Sequence, residues 1–507
     1  MPPWNPILGN LITLAKLRKY GPADTRQAEA FALLSTQIPG LEDGFYIDAW
    51  PFSIPLLAVT SPKLAIQACQ NHDLPKPHAL QPFINPMAGG SDNLFVSNGS
   101  RWRQMRDRFN HGFSLTAALG HMSCVLEEAE VFVQMLKAHA RVGDTFSLDQ
   151  LTCRYAMDII GNIALNTRFR YQQENNPIAT AMRDIIELEC GIETTNIVKR
   201  WSPRRLYIQW KSGRTLNNLI GIELDKCYRK WKEDKITSIS SRPKSIMDIV
   251  IAEYMKTRPQ EDQHLDPEFR AWAVIQIRLF LFVGHDSEAS SIIYCLYLLS
   301  KHPEMLARVR EEHSKVFGAG AASALEVLKR RPEMVNQLPY TNAVIKETLR
   351  LFPPANGMRG GLPGVSLRDE DGTLFPTEGC GIWIVHAAVH RNPSSWVQPH
   401  SFIPERWLVE EGHPLYPPTG GWRPFEHGPR SCIGQSMSLM GIRATLAVVV
   451  RQFDFHDQYA EYDRLDPSTG INEMFGERAY MIQKGAGHPA HGFPCKVTLR
   501  DSLEEAA

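Results

Sequence analysis

The sequence predicts a mainly α fold with small β-sheets, an α+β arrangement in which helices supply most of the core. Three observations predict it. Through residues 115–170 apolar residues recur at three- and four-residue spacing, first Leu126, Val131, Phe132, Met135 and Leu136, then Ala156, Ile159, Ile160 and Ile163; this is the period of two or three core helices. Residues 271–299 are almost continuously apolar, and after Gly434 a second apolar run passes through Met437, Met440, Ile442 and Leu446. Extended character is confined to short pieces bounded by Pro and Gly.

Composition sets outer bounds. The chain has 507 residues, 43% hydrophobic and 22% charged, ample for a core, and its length alone suggests about three domains. Lys+Arg and Asp+Glu are both 55, so no global charge draws the chain toward nucleic acid, and no nucleic-acid partner is expected. The nine Cys, at 69, 124, 153, 190, 227, 295, 380, 432 and 495, are odd in number and lack short spacings, which points to a reducing compartment without a disulfide framework. No run reaches the roughly eighteen apolar residues that span a bilayer, and no signal-peptide cleavage pattern is visible.

In chain order, residues 45–60 alternate apolar residues with Pro and read as a short hairpin, after which Ser61-Pro62 opens a helix to about Gln70. Residues 72–99 are too rich in Pro, Gly and Asn for one regular element. In SRWRQMRDRFNHGFS, Trp102 and Arg106 stand four apart and share a helix face, with Arg101, Arg103 and Arg108 adding positive charge. Residues 196–213 mix basic and aromatic residues and read as a loop, facing a membrane or a substrate entry, or else as a solvated turn between helices. The Ser-rich stretch 237–245 reads as a mobile linker. The polar patch GHDSEASS interrupts the apolar 271–299 segment, which is costly unless it serves something. Glu347 and Arg350, three apart, can pair on one helix face. Residues 369–377 with Gly379 read as a hairpin, and the C-terminal GERAYMIQKGAGHPAHGFPCKVTLR contains two short extended segments about a Gly/Pro turn.

Chemistry concentrates at residues 421–450. The pattern F-x-x-G-x-R-x-C-x-G is carried by Phe425, Gly428, Arg430, Cys432 and Gly434. At roughly one chance in twenty per position, accidental matches in such a chain number on the order of 10⁻⁴. Cys432 precedes a helix, whose unpaired N–H groups and partial positive charge favour thiolate. A thiolate can be the axial ligand of haem iron. Gly434 leaves the haem plane clear, Gly428 suits a tight turn, Phe425 shields the sulfur, and Arg430 can pair with a haem propionate. A structural Cys or a zinc ligand is the alternative, but no C-x-x-C or nearby Cys/His set supports zinc.

This stretch resembles the haem-binding signature of the cytochrome P450 family, and the resemblance extends over nearly the whole chain. It implies one large haem domain over 16–507, with the Cys-ligand loop at 421–436, preceded at 1–15 by a Pro-rich hinge or the remnant of a membrane-proximal segment. It implies haem b held by Cys432 as the metal ligand, with Trp102, Arg106 and Arg359 contacting propionates beside Arg430. Val283-Gly284-His285-Asp286-Ser287-Glu288 resembles the family's A-G-x-D-T-T above the haem, where Gly loosens the helix and the acid and hydroxyl relay protons, here Asp286 and Ser287. Val283, Ser287 and Glu288 depart from that pattern. Glu347, Arg350 and Arg406 (in FIPERW) match a structural Glu–Arg–Arg cluster, and the C-terminal hairpin reaches back toward the substrate.

The family further implies a monooxygenase fed with electrons from NADPH by a separate NADPH–cytochrome P450 reductase, which docks near the basic 101–108 helix, and a location on the cytosolic face of the endoplasmic reticulum membrane. GWRPFEHGPRSCIGQ and GERAY…GFPCKVTLR resemble fungal secondary-metabolism members of the versicolorin-desaturase-like subgroup, which implies an apolar polyketide or terpenoid substrate. A desaturase, a peroxide-rearranging enzyme and a non-catalytic haem-binding protein are the rival readings.

Overall fold

A computed structural model describes residues 2–17, 19–50, 53–189, 201–233, 245–257, 264–467 and 470–500. Its axis is the 35-residue helix Pro267–Lys301. Asp266 opens it by accepting the Phe269 amide at 2.9 Å, with Pro267 at the first turn, where a missing N–H costs nothing. From Ala273 to Leu299 it is buried on almost every side, as a helix apolar all round must be. The polar patch does not break it: the helix runs straight through 284–291. Gly284, expected to loosen it, instead makes room for a neighbour, since a Cβ there would stand 2.6 Å from Ile160 of the helix Leu148–Leu165. That helix, the preceding Met122–Val142 and the later Gln435–Val449 complete the core. Ser147 caps Leu148–Leu165 by accepting the Gln150 amide.

The strands are short: β1 (Gly44–Ile47), β2 (Leu56–Val59), β3 (Phe146–Ser147), β4 (Gly357–Gly360), β5 (Ser366–Arg368), β6 (Leu374–Pro376), β7 (Gly381–Ile384), β8 (Phe453–Asp457), β9 (Met481–Lys484), β10 (Ala486–Pro489) and β11 (Pro494–Leu499). They make one four-stranded sheet ordered β1-β2-β7-β4 and three smaller ones. β1 and β2 form the expected hairpin, Gly44 opposite Val59. β5 and β6 form the second, starting three residues earlier than expected. The C-terminal stretch holds three extended segments rather than two: β9 and β10 pair about Gly485, while β11 leaves them to pair with β8 and β3.

Residues 72–99 form no single element, as expected: they hold the short helix Gln81–Ala88, which Gly89 closes at φ 87°. Other expectations need correction. Residues 203–213 are no loop: they open the 31-residue helix Pro203–Glu233, and Trp201, Tyr207 and Trp210 stand 67%, 59% and 60% exposed at its start. Residues 196–200 and 237–244 lie outside the described residues; Ser245 accepts the Asp248 amide at 3.1 Å and starts the helix Ile246–Thr257. The boundary at 15/16 falls inside the helix Leu11–Leu17, and Asn10 and Trp4 tie the segment to Asp48. The cysteines among the described residues are all free, and no helix among them is long and apolar enough to cross a membrane.

Candidate active site

Cys432 lies on the floor of an interior cavity of about 340 Å³. Its loop is rolled by successive turns: Glu426 N–H donates to Arg423 O, Ser431 N–H to Gly428 O, and Cys432 N–H to Phe425 O at 2.8 Å. Gly428 has φ 82°, and a Cβ there would collide with the Cys69 carbonyl, so the turn requires glycine. A Cβ at Gly434 would meet only Cys432 Sγ, at 3.9 Å, so the floor beside the thiol is bare. Phe425 also lines the cavity and is held edge-on by Trp422, whose indole N–H donates to Lys346 O.

The thiol is exposed to this cavity and enclosed by protein otherwise. Burial raises its pKa, and the Gly434 amide and the Arg106 guanidinium only partly offset that. The helix N-terminus therefore acts in the expected direction but loses to desolvation. A cation placed in the cavity would reverse the balance, because a coordinating thiol ionises outright.

The floor is braced from behind. Glu347 receives Arg350 through Nε and Nη2 at 2.9 and 2.8 Å and Arg406 through Nε at 3.1 Å, all three side chains fully buried. Arg350 also donates to the His390 carbonyl, and His390 accepts the Arg423 amide at 2.8 Å. The cluster thus reaches the Cys loop through His390.

One wall is cationic. Trp102 and Arg106 project from the helix Gly99–Asn110; Arg106 donates to Ser431 O at 2.8 Å, and the Trp102 indole N–H has no partner among the described residues. Arg430 stacks over Trp102 at 4.4 Å and donates to Ser97 O and Asn98 Oδ1. Arg359 does not reach the lining. It is fully buried, donates to Met358 O and faces Glu426 at 3.5 Å. Glu426 is the reason: burial would raise its pKa, but His386 at 2.8 Å and Arg423 at 3.0 Å hold it well below the carboxylate range. Lys76 lines the cavity in its place, its pKa lowered to about 7 by burial and then by Arg359's charge. A lone Lys in a Pro-rich loop carries no spacing signal, so sequence reasoning passed over it. Glu426 and His386 were missed for the same reason.

The opposite wall is the central helix. Val283, Asp286, Ser287 and Glu288 all line the cavity, with apolar cover from Phe83, Phe95, Phe113 and Ile160. Ser287 Oγ donates to the Val283 carbonyl at 3.1 Å. Asp286 accepts the Ala486 amide and faces His488 at 3.3 Å; burial would raise its pKa, but His488, His285 and Arg183 bring it below the usual range. Glu288 points toward Gly441 of the post-cysteine helix, where any Cβ would collide with its Oε1, and burial lifts its pKa to about 8. It is therefore a neutral acid near pH 7.

These residues fit a haem: one thiol on a bare floor, unpartnered donors and cations along one side, and an apolar roof. Comparison with known proteins agrees. The family model "Cytochrome P450" matches residues 2–473. The chain is 36% identical over 511 residues to cytochrome P450 monooxygenase polC of Polytolypa hystricis, covering 98% of this chain and 89% of that protein. It is 30% identical over 485 residues to cytochrome P450 monooxygenase acrF of Aspergillus aculeatus, covering 91% and 95%. Its fold is similar to the crystal structure of the cytochrome P450DA heme domain, with a TM-score of 0.71 at 20% identity over 99% of this chain and 98% of that one.

Proposed function

The chain belongs to the cytochrome P450 family, and from that premise we propose that it is a monooxygenase of fungal secondary metabolism, acting on an apolar polyketide or terpenoid intermediate with electrons from NADPH through a cytochrome P450 reductase. That it is a cytochrome P450 monooxygenase using haem b follows from the family itself. Haem bound here supplies oxygen activation and transfer of one oxygen atom to substrate, the other leaving as water.

The residues have separable tasks. Cys432 would hold the iron, and Phe425 keeps water from the sulfur. Trp102, Arg106, Arg430 and Lys76 would take the propionates, with Arg359 contributing charge from behind Glu426. The phenylalanine-rich roof excludes water and orients an apolar substrate by shape. Asp286 and Ser287 line the central-helix wall and would relay protons into the cavity. For the reductase, Arg103 is the cation of the 99–110 helix that remains exposed without a carboxylate partner among the described residues, since Arg101 pairs with Asp92 and Arg108 with Glu253. The exposed Trp201, Tyr207 and Trp210, with Arg204, Lys211 and Arg214 nearby, support contact with a membrane surface.

The observation that carries this reading is a single thiol facing the interior cavity from a bare floor. The reduced, carbon-monoxide-bound absorption spectrum tests it. The purified protein should show a strongly red-shifted Soret band, and Cys432→Ser should lose both the band and NADPH-dependent product formation. Haem-dependent oxidation retained in the variant would overturn the assignment.

A further inference from the structure

Asp149, Asp286 and His488 are far apart in the chain and meet in the interior. His488, on β10, is 1% exposed; its Nδ1–H donates to Asp149 Oδ1 at 2.6 Å and its Nε2 faces Asp286 Oδ1 at 3.3 Å. The three residues belong to the start of the helix Leu148–Leu165, the middle of the central helix and the C-terminal hairpin. The hairpin tip is part of the cavity: Gly485 and Ala486 line it. Each residue of the tip is fastened differently. The Ala486 amide donates to Asp286 Oδ2, the Gly487 amide to Pro354 O at 2.8 Å, and the Gly487 carbonyl accepts Ser290 Oγ. Gly485 has φ 77°, and a Cβ there would collide with Asp286 Oδ2. The carboxylate is therefore the post against which the tip closes.

We infer that His488 is a positioning residue for the active-site wall: clamped between Asp149 and Asp286, it holds Asp286 as a carboxylate on the Ala486 amide and so keeps the hairpin tip shut over the cavity. An isolated carboxylate buried here would be neutral, and a neutral acid is a poor acceptor for that amide. The other groups facing the cluster do not replace His488. Arg183, from the helix Pro177–Glu187, is 3.9 Å from Asp286; His285 is 3.7 Å away, uncharged because burial lowers its pKa to about 4; the Cys153 thiol donates to Asp149, and burial keeps it protonated; Lys484 on β9 acts on Asp149 from a distance.

The protonation state of His488 gives the sign. Burial would lower its pKa, but Asp149 and then Asp286 raise it from 6.5 to about 9. A raised folded pKa means the clamp contributes fully below the unfolded value of 6.5 and is lost as pH rises through about 9.

The effect on turnover rests on the monooxygenase reading, whereas the effect on the hairpin does not. Hydrogen–deuterium exchange of peptides covering 481–489 is measured in the haem-loaded protein from pH 6.5 to 10, corrected for intrinsic rates. Protection should hold in the wild type up to about pH 9 and then fall. His488→Gln should lack that step and exchange faster at every pH, and should release several-fold more peroxide per NADPH consumed with reductase. Wild-type protection and an unchanged step in a folded His488→Gln protein would overturn the inference. Where that variant fails to load haem, Asp149→Asn decides: the step should move to lower pH, and a step that stays in place overturns the clamp. A protein that consumes no NADPH yet shows the step and its shift retains the clamp and loses the monooxygenase reading.

Discussion

Ser287 holds its hydroxyl on the Val283 carbonyl at 3.1 Å while lining the cavity, so it must swing off its own helix to serve a proton path. Ser287→Ala should raise peroxide release per NADPH and lower productive turnover by roughly tenfold or more, with the carbon-monoxide spectrum unchanged. Coupling equal to wild type would place proton delivery on Glu288 or on water. Single residues were legible where the chemistry needs a fixed type at a fixed spacing. Phe425, Cys432 and Gly434 line the cavity, and Gly428 makes the turn before the cysteine. Arg359 stands behind Glu426, which reaches it by holding φ 56° on a turn no pattern announces. The bias of the helix terminus on the thiol was read correctly in sign, but its weight against desolvation needed the cavity.

Elements are decided by what they pack against. Glu347, Arg350 and Arg406 join the helix Pro339–Leu351 to the turn Pro404–Trp407, and the Trp407 indole and the Ile403 amide also donate to Glu347, at 3.1 and 3.0 Å. Glu347→Gln strips the countercharge from two buried guanidinium groups and should cost about 3–5 kcal/mol. The denaturant midpoint should fall and haem should be lost before global unfolding, since the path through His390 ends on the Cys loop. Haem loss that only accompanies unfolding would detach the cluster from the floor. Helices of the core were legible from their period. The helix at 203–233 was not, because its first turns expose Trp and Tyr where an amphipathic reading expects polar residues. The C-terminal strands were undercounted because β11 pairs with strands that lie forty and more than three hundred residues earlier in sequence, a distance no local pattern spans.

At the scale of the molecule, an uncharged total hides local asymmetry. Lys+Arg equals Asp+Glu, yet the start of the 203–233 helix gathers Arg204, Lys211 and Arg214 around Trp201, Tyr207 and Trp210. Binding to anionic lipid vesicles should weaken roughly tenfold or more when Trp201 and Trp210 are both changed to Ser, given about 1.5–3 kcal/mol for each large apolar side chain withdrawn from water. Co-sedimentation at two salt concentrations separates the aromatic from the cationic share; no change in the double variant would remove this surface from the membrane reading. Individual core helices were plain from periodicity, whereas the mostly helical single-domain arrangement came from family likeness, because length alone suggested three units.

The close fit of Glu288 over Gly441 has a combinatorial consequence. Any side chain at 441 meets the Glu288 carboxyl and must push it toward the cavity it lines, while a shorter residue at 288 removes that contact. The two positions are therefore coupled: a side chain at 441 costs less once 288 is shortened. A library that randomises 441 alone should favour the smallest residues, and one that randomises both should return larger residues at 441 paired with shorter ones at 288.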